Sequence, residues 1–129
     1  MTYTLDRTVG KVSFQDAVER TKAALSRHGF GVLTEIDVKA TFKKKIDADV
    51  EDYLILGACN PQMAFEAMKL EPKVGAMLPC NVIVRSVDAG DVMVSAIDPV
   101  ASMQAIDNAT LQGLAGNTRS MLADVITDI

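Results

Sequence analysis

The sequence predicts an α+β domain with a sheet of about five strands, antiparallel or mixed, and three observations carry that expectation. Short β-branched runs alternate with stretches of helical periodicity in the order β-α-β-β-α-β-β-α. The runs on either side of Asp88-Ala-Gly-Asp91 read as a hairpin, whereas a doubly wound parallel sheet would need regular crossovers. A long amphipathic stretch closes the chain, and its apolar stripe must lie across the sheet.

Residues 3–9 alternate in polarity and are β-branched or aromatic, the pattern of a half-buried strand ended by Gly10 and Lys11. Ser13 has the chemistry of a helix N-cap, with the Asp16 carboxylate near the free first-turn amides. Phe14, Ala17, Val18, Thr21 and Leu25 then recur at helical spacing, giving a helix over 14–28 that Gly29 stops. The single histidine, His28, falls at that terminus, where a cation suits the helix dipole without further partners.

A second strand covers 30–38, followed by a short charged helical segment over 40–46 and a loop over 47–51. Lys43, Lys44 and Lys45 read as a solvated face, with an anion site or a thiol-activating cation as the functional alternative. Residues 53–58 form the most apolar strand, expected to be covered on both faces or to lie in the middle of the sheet. Asn60 fits an N-cap and Pro61 the first position of a helix over 61–70, which Pro72 ends.

Gly75–Pro79 is a turn-like entry into a strand over 80–87, and the hairpin returns over 91–97 before Asp98-Pro99 breaks it. Leu111, Leu114, Ala115, Leu122, Val125 and Ile126 mark the last helix, from about 108 to the C-terminus. Gly113 and Gly116 interrupt its propensity, which suggests close packing on the sheet.

The chain has 129 residues, the size of one domain that can bury a core without disulfide or metal staples. It is 49% hydrophobic but only 5% aromatic, so the core rests on Val, Ile, Leu, Ala and Met. A net charge of −4 and a pI near 4.9 disfavour binding to nucleic acid or anionic membranes. The polar start and the absence of a long apolar run predict a cytoplasmic protein with no membrane span. In that compartment Cys59 and Cys80, the only two cysteines, are expected as thiols.

Each cysteine precedes an asparagine at the edge of a strand-forming run, which makes Cys59, Asn60, Cys80 and Asn81 the candidate pocket residues, with Asp98 and Lys45 in support. Cys59 stands where first-turn amides would favour its thiolate; a small buried hydrophobe packed between strand and helix is the alternative. If the two sulfurs share a cavity, three uses are open: a redox pair, a soft-metal site with Met63 or Met77, or the floor of a small-ligand pocket. One histidine and two cysteines with 20 residues between them form no recognised zinc pattern, so no metal ligand set is assigned. No catalytic triad and no phosphate loop is present.

Leu56-Gly-Ala-Cys-Asn-Pro61, Leu78-Pro-Cys-Asn-Val82 and Ser95-Ala-Ile-Asp-Pro99, with Ala40-Thr-Phe-Lys-Lys-Lys-Ile46 upstream, resemble the bacterial and archaeal family called domain of unknown function 302. The resemblance implies a curved antiparallel sheet backed by helices, similar in outline to one half of a TATA-binding protein, and a homodimer. It brings no established reaction and leaves any cofactor unknown. From the residues themselves two function classes remain: a binding or sensing module for a small ligand, a soft metal or a partner, or a thiol-dependent enzyme or sulfur or redox carrier using Cys59 with Cys80 or Lys45 in support.

Overall fold

In a computed structural model, which describes residues 2–129, the chain folds into a five-stranded sheet carrying its main helices on one face. The elements are β1 (Thr4–Gly10), α1 (Phe14–Arg27), β2 (Gly31–Asp37), α2 (Val38–Ile46), β3 (Tyr53–Cys59), α3 (Pro61–Leu70), β4 (Cys80–Ser86), β5 (Val92–Ile97), α4 (Pro99–Ser102) and α5 (Ala109–Thr127). Short 3-10 turns cover Pro72–Met77 and Asp88–Gly90. The strand order is β1-β5-β4-β3-β2 and every pairing is antiparallel.

The helix boundaries follow from capping chemistry. Ser13 Oγ accepts from the Asp16 amide at 3.0 Å, Asn60 Oδ1 from the Met63 amide at 3.1 Å, and Asn108 Oδ1 from the Leu111 amide at 3.0 Å. Pro61 opens α3 at the position where a missing amide hydrogen is harmless. Helix α2 runs nine residues with no buried side chain, which agrees with a short solvated element.

Strand alternation divides the apolar residues between two faces. Leu56, Ala58, Cys80, Val82, Val84, Val92, Val94 and Ala96 point to the helix-covered face, where Ala17, Val18 and Leu25 of α1 and Leu122, Val125 and Ile126 of α5 bury them. A second, smaller cluster joins Ala67, Val74, Met103, Leu111 and Ala115. On the other face Ile36 pairs with Ile55, Ile55 with Ile83, and Tyr53 with Arg85, which in turn faces Met93.

Two sequence expectations change. Strand β3 is inner but not central, and only its core face is closed: Tyr53 and Ile55 remain half-buried on the open side. Its unbroken apolarity reflects a second apolar surface rather than cover on both faces. Gly113 and Gly116 do not mark close packing, because a Cβ at either would meet no atom within 4 Å.

Candidate functional site

The site starts from the β3–β4 pairing. Antiparallel register sets Ala58 opposite Cys80, so Cys59 and Cys80, 21 residues apart in sequence, arrive at the same end of the sheet. Gly57 makes this possible, since a Cβ there would collide with Thr34 Oγ1 and lie 2.8 Å from Pro79 Cγ. The bare glycine lets Pro79 seat against β3 and delivers Cys80 to the core side.

Both cysteines line a cavity between the sheet end, α3 and the first half of α5, with Met63, Met103 and Thr118 among its other walls. Its volume is about 40 Å³, measured as the space open to the centre of a water molecule, which is enough for a few waters or one small apolar group. Apart from the two thiols, no wall residue is titratable. Thr118 Oγ1 lies 3.1 Å from Met63 Sδ and 3.0 Å from the Leu114 carbonyl, which holds the thioether at the wall.

The two thiols differ. Cys80 is buried and Cys59 half-buried. Burial pushes the Cys80 thiol up to about 11, and a charge on neighbouring Cys59 adds to the shift. Cys80 is therefore a protonated thiol at neutral pH unless something displaces its proton.

Asn60 lines the cavity while capping α3, and its amide also donates to the Gly29 carbonyl at 3.2 Å, tying the helix start to the α1–β2 turn. The other candidate residues stand elsewhere. Asn81 points to the opposite sheet face, opposite Gly57. Asp98 caps α4 through the Val100 amide at 2.9 Å and holds Arg119 of α5 at 3.0 Å. Lys45 is exposed on α2, and Met77 is exposed beyond α3; neither lines the cavity. His28 has a partner that its sequence position did not reveal: its Nε2 is 3.0 Å from Asp128 Oδ2, which also receives Arg27 at 2.9 Å. The Arg27 and His28 hydrogen bonds hold the Asp128 carboxyl below its ordinary range.

Met63, Met103 and Thr118 are the wall residues that sequence reasoning assembled least well. Met63 alone carried a signal, its place one helical turn after Asn60; the other two reach the cavity only through tertiary packing. Among the described residues no three of His, Cys, Asp and Glu gather as a metal-ligand group, and no helix is long and apolar enough to cross a membrane.

The fold is shared with a solved structure, an uncharacterized conserved protein DUF302 from Bacillus stearothermophilus, at a TM-score of 0.91 and 23% identity over 99% of this chain and 98% of that one. No match emerged among curated proteins. A family model described as domain of unknown function DUF302 matches residues 5–129, and the chain belongs to that family.

Proposed function

We propose that the protein is a small binding or sensing module whose site is the cavity between Cys59 and Cys80. The observation that carries the reading is that β3–β4 register and the α3 start bring Cys59, Asn60 and Cys80 to one apolar cavity. A thiol-dependent enzyme is the weaker alternative, because the walls offer no general base or cation to activate a thiol. The probe is xenon, which suits a small apolar space. Methyl NMR should show the Met63 and Met103 signals moving as xenon is added, with Met93, on the far sheet face, unmoved. Equal shifts at all three, or none, would remove the cavity from consideration.

The open sheet face supports the second part of the reading, a homodimer. Ile36 is exposed there, Phe42 and Ile46 on the adjoining α2 and Val50 on the loop after it, beside a groove that Tyr53, Ile55 and Arg85 line. The accessible surface is 7296 Å², against roughly 6,600 Å² expected of a compact monomer of 13.8 kDa. Arg85 has no ion-pair partner among the described residues and donates only to Met93 Sδ, at 3.4 Å. Glu51 on the groove wall is unpaired as well. A second copy related by a two-fold axis supplies each arginine with the other's carboxylate. Sedimentation should find a dimer that Arg85→Glu weakens; a concentration-independent monomer would remove the idea. The acidic balance further supports a protein that leaves nucleic acid alone.

A further inference from the structure

We infer that the cavity takes a soft monovalent metal ion, copper(I) being the representative, held by the thiolates of Cys59 and Cys80 and the thioether of Met63. The inference rests on the reading that this cavity is the binding site, and it names the class of occupant.

Four sulfur-bearing residues, Cys59, Cys80, Met63 and Met103, line one cavity of about 40 Å³. Neither a carboxylate nor an imidazole joins them, and no cluster of hard ligands exists elsewhere among the described residues. Thiolate and thioether donors select copper(I), while zinc, calcium and magnesium need imidazole, further thiolates or carboxylate oxygens that this wall lacks. The small apolar volume suits an ion that sheds its water and accepts two or three ligands. Thr118 Oγ1 lies 3.1 Å from Met63 Sδ and can give its single proton to the Leu114 carbonyl instead, which leaves the sulfur's lone pairs for the metal.

Binding is a balanced exchange: two S–H bonds break, two copper–thiolate bonds and one copper–thioether bond form, and two protons leave to solvent. No electron moves, and the ion enters and stays as copper(I). The bound site carries one net negative charge, next to the start of α3, whose free amides favour an anion there. Because binding releases two thiol protons, affinity must rise with pH throughout the neutral range.

The test is an anaerobic titration of the whole chain with copper(I) against a coloured copper(I) chelator. One equivalent should be withdrawn from the chelator, more tightly as pH rises. Cys59→Ser and Cys80→Ser should each weaken binding by at least about 100-fold, and Met63→Leu, which preserves the fold, by about tenfold. With selenomethionine in the chain, X-ray absorption at copper should add a selenium scatterer that Met63→Leu removes. Retention of one-to-one binding in Cys80→Ser, or stoichiometry above one that ignores both cysteines, overturns the assignment. Xenon shifts at Met63 and Met103 without copper competition overturn the metal and leave the cavity reading standing, whereas failure of both removes both.

Discussion

The two halves of α5 rest on differently built cores. Toward its C-terminus Leu122, Val125 and Ile126 meet Val82, Val84 and Val94 of the sheet and Leu25 of α1, branched side chains that fill the space between layers. Toward its N-terminus Leu111 and Ala115 meet Ala67 of α3 and Met103, and the cavity opens beside them. Helical periodicity is the same in both halves, so periodicity alone does not decide packing. What decides it is the size of the residues opposite. Small alanines on α3 and a flexible methionine leave room at the sheet end, and the two cysteines stand in that gap.

The largest expected effect tests this contrast directly. Leu122 is fully buried in the filled half, whereas Leu114 is half-buried on the cavity wall. Leu122→Ala should destabilise the protein by about 2–5 kcal/mol, and Leu114→Ala by about 1–2 kcal/mol, since part of its surface is already in solvent and part already faces a void. Urea denaturation of both variants decides the matter, and equal losses would mean that the two halves are packed alike.

Alkaline pH sharpens the comparison at the cysteine that sits between the clusters. The Cys80 thiol is raised from 9.0 to about 11 by burial, so between these values the folded chain keeps a proton that the unfolded chain releases. Stability from this group is complete below pH 9 and declines as pH rises through 11, by about 2–3 kcal/mol in total. Stability measured from pH 8 upward should fall less in Cys80→Ala than in the natural sequence; parallel curves would show that the site is open to water. Acid works on a different contact. Asp128 is held below its ordinary range by Arg27 and His28, so what it adds is present above about pH 3.9 and is lost on acidification below that.

The same cysteine, set beside its neighbour, gives a kinetic contrast. Cys59 is half-buried at the start of α3, where a reagent can reach it more easily than it reaches Cys80. Cys80 lies on the core side and resists ionisation. Timed alkylation at neutral pH followed by mass spectrometry should therefore modify Cys59 first. Modification of Cys80 first, or inertness of both until unfolding, would dispose of the thiol-enzyme alternative.

Which features were legible in the sequence follows from how far apart their causes lie. Ser13, Asn60-Pro61 and Asp98-Pro99 act within a few residues, and the elements they cap begin where they indicate. The five antiparallel strands and the closing helix follow from local alternation and the hairpin at Asp88–Asp91. By contrast, the meeting of Cys59 with Cys80 depends on β3–β4 register, Asp128 reaches His28 across 100 residues, and Met103 enters the cavity wall through helix packing. Lys45 illustrates the converse: a lysine run close in sequence to β3 remains on α2, in solvent and outside the cavity wall. Composition along the chain carries no term for these distances.

The smallest effect concerns the backbone of the looser half, which also holds both glycines of α5, Gly113 and Gly116. Glycine in a helix interior costs about 1 kcal/mol relative to alanine, mostly through the freedom it gives the unfolded chain. Neither position has the positive φ that would require glycine, and a Cβ at either enters open space. Gly113→Ala and Gly116→Ala should therefore each raise the melting temperature by about 3–5 °C for a chain of this length. Because neither residue lines the cavity, xenon and copper(I) binding should be unchanged in both variants. A gain in stability with binding intact would place the difference between the two halves in their facing side chains. A gain accompanied by loss of binding would place it in the backbone, with glycine giving α5 the give it needs to admit a ligand.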